Sequence, residues 1–335
     1  MTIKAAVIGY GYWGPNLVRN LAQVDEVEVG WCADQRADRR ALAQKQYPAM
    51  RVSENADALF EDPAVNAIVI ATPVGTHFDL AKRALESGKH VLVEKPMTSK
   101  VAESEELIEL ARKNDRVLMV DHTFVYTGAV RKMKEIIDVG ELGDLYYFDS
   151  VRVNLGLIQH DIDVLWDLAP HDLSILAHLI KEQPKYVSAV GSGHTGNGLA
   201  DVAYMTVCFE NDFIAHFHVN WLSPVKIRQT LIGGSRRMLV YDDMEPSEKI
   251  RVYDRGVRVT TREGIYNTLI DYRMGDMWAP KIELREALSA ECRHFIDCIR
   301  FNKVPQSSGE SGLAVVKLLE AASKSLAAGG ERVQV

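Results

Sequence analysis

The stretch that decides the fold is "KAAVIGYGYWGPNLVRNLAQ", residues 4–23. Its first half is an apolar run typical of a buried strand, and its second half has helical spacing, with Pro15 in the first turn, where proline is tolerated. Between the two halves lies a GxGxxG pattern. A strand that turns into a helix here aims backbone N–H groups and the helix dipole at a pyrophosphate. We therefore predict a dinucleotide-binding turn made of Gly9, Tyr10, Gly11, Tyr12, Trp13 and Gly14.

An acidic residue follows at the distance that such a fold requires. Asp34 ends the next strand-like segment, 27–34, about 20 residues after the last glycine of the turn. A carboxylate there can bind both hydroxyls of an adenosine ribose, and it can also cap the helix that follows. It would repel a 2′-phosphate and so favours NAD, although Arg36, Arg39 and Arg40 keep NADP open.

The remaining chain changes its pattern near residue 124. Before it, strand-like segments (4–11, 27–34, 64–73, 89–96 and 116–124) alternate with helical ones (13–23, 76–88 and 101–114), as in a parallel sheet covered by helices. After it, strands follow one another at 145–155, 185–193, 202–210, 213–221, 227–234 and 237–243, and two helical patterns come at about 283–302 and 309–327.

These patterns predict an α/β protein of two domains. Residues 1–123 should form an NAD-binding Rossmann domain with a doubly wound parallel sheet. Residues 124–335 should form an α+β domain for substrate binding and oligomerisation, built on a large, open, mainly antiparallel sheet. The last two helices are expected to pack back on the rest of the chain.

Composition excludes several classes of protein. The chain has 335 residues, 47% of them hydrophobic and 25% charged, as in ordinary globular proteins. A net charge of -7 provides no broad basic surface, so no nucleic-acid partner is expected. No segment offers the ~20 apolar residues that span a bilayer, and no signal-peptide core is visible, so we expect a cytoplasmic protein. The four cysteines have no zinc-like spacing, so no metal or disulfide framework is expected.

Further candidates lie where parallel strands end, because ligands bind at the carboxyl edge of such sheets. "ATP" (71–73) and "EKP" (94–96) both follow strand-like segments, and Thr76 is expected to cap the next helix. Lys95 would point to the nicotinamide end of the cleft, where a cation can orient a hydroxyl and stabilise an alkoxide. Together with the turn and Asp34, we expect cofactor contacts from Ala71, Thr72, Pro73, His77, Glu94, Lys95 and His122.

A cluster of ionisable residues occurs in "WDLAPHDL", residues 166–173. It could hold a metal, cap a helix, form a buried polar pair or handle protons. No HExxH-like arrangement supports a metal, so none is expected. A proline is tolerated in the first turn of a helix but not in its interior, so Pro170 predicts a helix that starts just before it, with Asp167 as the N-cap. His171 would then lie one turn after Asp167, while Asp172 would be rotated about 100° from His171 and could serve structure alone.

The GxGxxG turn, "EKP" and the Asp167-x-x-x-His171 pair together resemble the Gfo/Idh/MocA oxidoreductases, and the resemblance covers nearly the whole chain. It implies that Lys95, Asp167 and His171 are catalytic. His171 would take a hydroxyl proton while hydride passes to the nicotinamide, Lys95 would hold the same oxygen, and Asp167 would orient the imidazole or the sugar. The ordinary pKa of histidine, near neutral pH, suits that task.

Within that family, "GYWGPNLVRN", "HTFVYTGAVRKMKEII", "DSVRVNLG" and "WDLAPHDLSIL" are similar to stretches of UDP-N-acetylglucosamine 3-dehydrogenases. The similarity implies oxidation of the sugar C3 hydroxyl with NAD, a homodimer or homotetramer, and an aminotransferase that uses the ketone in a 3-amino-sugar pathway to lipid A or a surface polysaccharide. A dehydrogenase of UDP-N-acetylglucosaminuronate, or of another sugar or inositol, is the alternative, and a non-catalytic NAD-binding regulator is the alternative of another class.

Substrate contacts are expected from eight residues. The catalytic candidates Lys95, Asp167 and His171 are three of them. Arg152 and Asn154 alternate on one strand that leads to the histidine motif, and Lys226 and Arg228 alternate on another, where they could serve a diphosphate. For these four, a solvated surface position is an equal alternative. Tyr126 completes the set.

Overall fold

The computed structural model describes residues 2–156, 158–196, 198–258 and 271–335. They form two compact units, Met1–Thr127 with Arg285–Glu320 and Gly128–Leu284 with Ala321–Val335. The chain thus crosses between units near the predicted boundary at 123–124. It also returns to the first unit over Arg285–Glu320, which a single boundary does not describe.

The strands and helices have the following bounds. The strands are β1 (Ile3–Ile8), β2 (Val27–Ala33), β3 (Arg51–Ser53), β4 (Ala67–Ile70), β5 (His90–Glu94), β6 (Leu118–Asp121), β7 (Leu145–Leu155), β8 (Pro184–Ser192), β9 (Val202–Phe209), β10 (Ile214–Asn220), β11 (Leu222–Gly234), β12 (Met238–Asp242), β13 (Ile250–Tyr253), β14 (Gly256–Arg258), β15 (Asp271–Arg273), β16 (Met277–Trp278) and β17 (Val333–Gln334). The α-helices are α1 (Gly14–Ala22), α2 (Ala37–Gln46), α3 (Asp57–Glu61), α4 (His77–Glu86), α5 (Val101–Lys113), α6 (Gly128–Asp138), α7 (Val164–Leu179), α8 (Ala287–Phe301) and α9 (Gly309–Ala327).

The first unit contains a parallel sheet in the order β3-β2-β1-β4-β5-β6. The chain moves outward from β1 in one direction and then in the other, so the strand order reverses between β1 and β4. In such sheets the crevice for the ligand opens at the carboxyl ends of the strands at this reversal. The predicted doubly wound sheet is confirmed.

Helix α8 returns late in the chain to complete the core of the first unit. Its residues Leu288, Cys292 and Phe295 recur at helical spacing and are buried with Leu17 and Leu21 of α1. Burial of a side chain the size of Phe295 stabilises the unit by about 1.5–3 kcal/mol. An apolar stripe of this kind cannot remain in water, and it accounts for the return.

The second unit contains a sheet whose described strands follow the order β16-β13-β12-β11-β7-β10-β9-β8-β17. Neighbouring strands are antiparallel except β7 and β10, which pair in parallel, so the predicted mainly antiparallel sheet is confirmed. Along β10, Ala215 and Phe217 are buried, and His216 and His218 lie on the other, half-buried face. This alternation is the one that the sequence predicts.

Candidate active site

The glycine turn after β1 is shaped by two close approaches. Gly9 has φ +95°, and a Cβ there would lie 2.4 Å from the carbonyl oxygen of Ala71. A Cβ at Gly14 would lie 2.2 Å from the carbonyl oxygen of Gly9. Gly11 differs, because a Cβ there would meet no described atom within 4 Å. The first and last glycines therefore allow the turn to form, and the middle one leaves open space over the backbone where a pyrophosphate can approach.

The aromatic residues of this turn have different environments. Tyr10 is fully buried, its hydroxyl donates to Oε1 of Gln46 at 2.6 Å, and burial raises its pKa to about 12. Its side chain belongs to the core, so the predicted cofactor contact of Tyr10 is wrong for the side chain. Tyr12 and Trp13 are 76% and 40% exposed and pack edge to face. They stand at the start of α1, where no side chain caps the helix.

Asp34 follows β2 and faces this turn. Its Oδ2 accepts the N–H of Tyr10 at 2.7 Å, and its Oδ1 accepts the N–H of Arg36 at 2.8 Å. A carboxylate has about four lone-pair sites, so acceptor capacity for ribose hydroxyls remains. Helix α2 begins at Ala37 with no side-chain cap, so the expected capping role of Asp34 is wrong, and its ribose role stays a prediction.

The neighbouring arginines are engaged locally. Arg36 forms a bidentate pair with Asp38 at 2.7 and 3.2 Å, and Arg40 donates to the backbone carbonyl oxygens of Asp34 and Gln35. Arg39 lies 3.6 Å from Asp38. Their charges therefore have carboxylate and carbonyl partners, which leaves the negative charge of Asp34 to disfavour a 2′-phosphate.

The loop after β4 is tied to the "EKP" loop through His77. The ring of this buried histidine bridges two backbone carbonyls, Nδ1 to Pro96 O at 2.9 Å and Nε2 to Thr72 O at 2.7 Å. Burial lowers the pKa of His77 and outweighs the two carbonyls, which favour the charged ring. His77 thus orders two cofactor-side loops. Thr76 precedes α4 without capping it: its hydroxyl lies 2.7 Å from Oγ1 of Thr72 and 2.8 Å from the carbonyl oxygen of Pro73.

Lys95 lies directly after β5, at the carboxyl edge of the parallel sheet. The Lys95–Pro96 peptide is cis, and the backbone N–H of Lys95 donates to Oε2 of Glu94 at 3.1 Å. Pro96 and Met97 are buried, whereas the Lys95 side chain is half-buried. A half-buried ammonium at this edge can donate hydrogen bonds to a ligand.

Three buried carboxyl groups meet behind Lys95. Glu94 and Asp121 are register partners at the ends of β5 and β6, and Glu291 comes from α8. Burial, and then the charge of Asp121, raise the pKa of both Glu94 and Glu291 well above the ordinary value. Buried carboxyl groups that interact with one another disfavour each other's ionisation. Glu291 was not among the residues predicted from the sequence, because its partner Asp121 is far away in the chain.

His122 follows the carboxyl cluster. It is buried, and neither ring nitrogen has a hydrogen-bond partner among the described residues. Burial, and then the charge of Lys95, lower its pKa to about 3, so the ring is neutral. Buried polar atoms without partners are rare in folded proteins, and a bound ligand is one way to satisfy them.

Tyr126, by contrast, is a core residue. Its hydroxyl is buried and lies 2.9 Å from Oγ of Ser307, and burial raises the pKa of Tyr126 well above the ordinary value. The predicted substrate contact from Tyr126 is therefore wrong. The tyrosine fixes the segment before α9 to the first unit instead.

In the second unit, helix α7 contains the whole "WDLAPHDL" stretch. It begins one turn earlier than predicted, because Asp163 caps it by accepting the N–H of Trp166 at 3.1 Å. Asp167 is therefore inside the helix and is not its cap, and Pro170 is an interior proline. Asp167 and His171 lie four residues apart on the helix, which places them on the same face.

The carboxylate of Asp167 is contacted from outside the helix. Nε1 of Trp221 donates to Oδ2 of Asp167 at 2.9 Å, and Trp221 is 1% exposed. Trp221 lies between β10 and β11. Sequence analysis missed this residue, and the one signal available was a tryptophan at the end of a predicted strand.

Arg152 and Asp172 form a buried bidentate ion pair. Nε and Nη2 of Arg152 donate to the two carboxylate oxygens, each at 2.8 Å, and both side chains are buried. Burial by itself would lower the pKa of Arg152, but the charge of Asp172 raises it above the ordinary value. The predicted substrate contact of Arg152 is therefore wrong: its guanidinium joins β7 to α7. The structural role expected for Asp172 agrees with this pair.

The other expected substrate contacts are more accessible. Asn154 is half-buried near the end of β7. Lys226 is exposed in the part of β11 where the register with β7 shifts, between Leu222 and Ile227. Arg228 is half-buried and lies 3.4 Å from Asp243. These three remain candidates.

No group of three or more His, Cys, Asp or Glu side chains in the described parts of the chain could hold a metal ion. Similarly, the helices that these residues form are all too short or too polar to cross a bilayer.

Comparison with known proteins gives two family matches. Residues 3–122 match the NAD-binding Rossmann fold of the oxidoreductase family GFO_IDH_MocA, and residues 130–240 match the GFO/IDH/MocA C-terminal domain. The uncharacterised oxidoreductase YdgJ of Escherichia coli is 36% identical over 259 residues, which are 74% of this chain and 73% of that protein.

Two relatives with named activities match over nearly their whole length. Myo-inositol 2-dehydrogenase of Thermotoga maritima is 24% identical and covers 97% of this chain, with 96% of that protein covered. The solved structure of UDP-N-acetylglucosamine 3-dehydrogenase from Acidithiobacillus ferrooxidans has a TM-score of 0.83 at 25% identity, and the match covers 98% of this chain and 99% of that one.

Proposed function

The chain belongs to the Gfo/Idh/MocA oxidoreductase family, and we propose that it is an NAD-dependent dehydrogenase that oxidises the C3 hydroxyl of UDP-N-acetylglucosamine. The observation that carries the proposal is the Asp167–His171 pair on one face of α7 in the second unit; in the first unit, Lys95 directly after β5 supports it. The similarity over almost the full length to a UDP-N-acetylglucosamine 3-dehydrogenase supports the choice of sugar.

The first unit fits NAD at several points. Gly11 leaves open space above the turn, and Asp34 has acceptor capacity for ribose hydroxyls. His122, whose neutral ring directly follows β6 at the carboxyl edge of the sheet, remains our proposed residue for the nicotinamide end. When bound, NAD supplies the hydride acceptor, and the protein supplies position and electrostatics.

The roles of the catalytic groups follow from their chemistry. His171 takes the proton of the C3 hydroxyl as the C3 hydride leaves, so the products are a ketone, NADH and one proton. Lys95 donates a hydrogen bond to the same oxygen and stabilises the negative charge that develops there. Asp167 orients the imidazole or the sugar. Asn154, Lys226 and Arg228 remain the proposed contacts for sugar and diphosphate.

We also propose that the protein forms a homodimer or homotetramer through the half-exposed face of the second unit's sheet. Val190, Tyr204 and His218 lie side by side across β8, β9 and β10, and Tyr204 stacks on His218 with ring centroids 4.5 Å apart. Ile214, on the same face, is 42% exposed. Light scattering should give the dimer or tetramer mass, and Tyr204→Glu should lower it.

The test of the proposed activity is NADH formation at 340 nm with NAD and UDP-N-acetylglucosamine, in the presence of an aminotransferase and amino donor that remove the ketone. Lys95→Ala and His171→Ala should lose turnover and retain NADH binding, whereas Lys100→Ala, an exposed control nearby, should remain active. Turnover of UDP-N-acetylglucosaminuronate or myo-inositol in place of this sugar would transfer the assignment to that substrate. If both Lys95→Ala and His171→Ala retain the biological function of the wild type, the alternative of a non-catalytic NAD-binding regulator would be favoured.

A further inference from the structure

Trp221 is held in place by two other segments of the second unit and by its own neighbours in the chain. Its backbone N–H donates to the carbonyl oxygen of Asp201 at 2.9 Å, and its own carbonyl accepts the N–H of Gly156 at 3.1 Å. The ring packs on Gly156, where a Cβ would lie 2.8 Å from Cδ1 of the indole. Oδ1 of Asn220 accepts the N–H of Leu222 at 2.6 Å, which fixes the bend around the tryptophan.

The indole therefore presents its N–H group from a fixed position. That group donates to Oδ2 of Asp167 at 2.9 Å. An aspartate on a helix has several side-chain rotamers, and a rigid donor selects the one that it can reach. A hydrogen bond to a charged acceptor is about twice as strong as one between neutral groups, so this contact is strong enough to hold the carboxylate.

We propose that Trp221 is a positioning residue of the active site, which acts through its Nε1–H to hold the Asp167 carboxylate in the orientation that serves His171 and the sugar. This inference rests on the proposed function. Active sites need supporting residues of this kind, because the reaction rate falls when a catalytic group is held loosely.

Trp221→Phe removes the N–H donor and keeps an aromatic ring in the same space. We expect kcat to fall about tenfold or more, the range for loss of a hydrogen bond to a charged group, with the KM for NAD unchanged. Helix α7, which contains Asp167, offers a matched control: Nε1 of Trp166 donates to Oγ of Ser323 at 2.8 Å. Trp166→Phe removes an indole donor that serves no proposed catalytic group, and it should leave kcat within about twofold of wild type.

A double-mutant cycle separates positioning from general stability. In an Asp167→Ala background, Trp221→Phe should cause no further loss of kcat, because the two residues act as one unit. Equal losses in both backgrounds would overturn the inference, as would a Trp221→Phe enzyme as active as Trp166→Phe.

A second measurement needs no substrate. The protein has five tryptophans, so labelled indole N–H signals can be assigned by single Trp→Phe variants. Asp167→Ala should shift the Trp221 signal and speed its hydrogen exchange, and an unchanged signal would overturn the contact. If the wild-type protein oxidises none of the sugars, the proposed function is wrong. The positioning role then fails with it, whatever the Trp221 indole signal shows.

Discussion

Removal of one partner from the buried Arg152–Asp172 pair should destabilise the protein strongly. Asp172→Asn keeps the volume of the side chain but removes the carboxylate that accepts the two hydrogen bonds from Nε and Nη2 of the buried Arg152. Both side chains are nearly inaccessible, at 3% and 4%, so water cannot replace the lost partner. Breaking a buried ion pair costs about 3–5 kcal/mol. Since asparagine retains one acceptor oxygen, we expect a loss near the lower limit, about 3 kcal/mol.

The double variant Arg152→Met/Asp172→Leu should behave differently. It replaces both charges with apolar groups of similar volume, so neither charge of this pair remains buried without the other. Such replacements are often neutral or stabilising. The stability of the double variant should therefore exceed that of Asp172→Asn, although it carries more changes.

Urea unfolding followed by tryptophan fluorescence measures both effects. A loss of about 3 kcal/mol lowers the midpoint by about 1 M when the slope is near 3 kcal/mol per M. The exposed pair Lys185–Glu210 of the same unit, at 3.0 Å, provides the control. Glu210→Gln should cost at most about 1 kcal/mol. Wild-type stability of Asp172→Asn combined with a raised KM for the sugar would refute the reasoning and restore Arg152 as a substrate contact.

Other perturbations test the first unit. Gly11→Ala should leave stability unchanged, because the added Cβ meets only open space, but it should weaken NAD binding in a fluorescence titration. Gly14→Ala should lower the melting temperature, because its Cβ would lie 2.2 Å from a carbonyl oxygen. Asp34→Asn should lower the ratio of kcat/KM for NAD to that for NADP, and an unchanged ratio would contradict the ribose role. Glu291→Gln should gain stability relative to wild type as pH rises. The raised pKa of Glu291 means that the folded wild type holds a proton that the unfolded chain releases above about pH 4.3. The contribution of Glu291 to wild-type stability therefore falls as pH rises, whereas the glutamine of the Glu291→Gln variant makes no such pH-dependent contribution. A constant difference in unfolding midpoint between pH 5 and pH 8 would show that Glu291 does not hold this proton.

The parts of the fold that sequence predicted are those that depend on local pattern. The turn after β1, the parallel strands and the alternation along β10 follow from glycine positions and from periods of 3.6 and 2 residues. Each is set by neighbours a few residues away. The short strand β3 was missed, because its apolar pattern is weak, and the helix after Asp34 was expected without bounds; α2 buries only Ala43.

The start of α7 shows how one local signal can outweigh another. A proline normally marks a first turn, and an interior proline costs about 3 kcal/mol, so Pro170 predicted a start at Asp167. In the structure Asp163 supplies the cap, and Val164 and Leu165 extend the buried stripe of the helix by one turn. The proline itself is buried among these contacts, and their burial offsets its missing N–H.

The roles of polar residues were harder to predict, because they depend on partners far away in the chain. Tyr126 pairs with Ser307, 181 residues later, and Trp221 reaches Asp167 across 54 residues. Nothing in the sequence near Tyr126 distinguishes a buried hydroxyl from one that faces a ligand. Only the tertiary fold decides between them.

Asp167 and Asp172 make this dependence concrete. They share one helix and one kind of side chain, but five residues of helix rotate them by about 140°, so they face different parts of the sheet. Asp172 meets the guanidinium of Arg152 on β7, where charge is neutralised and buried. Asp167 accepts a hydrogen bond from the indole of Trp221, which lies between β10 and β11. Asp167 shares a face of the helix with His171, whereas Asp172 is engaged by Arg152, so we propose Asp167, and not Asp172, for the reaction.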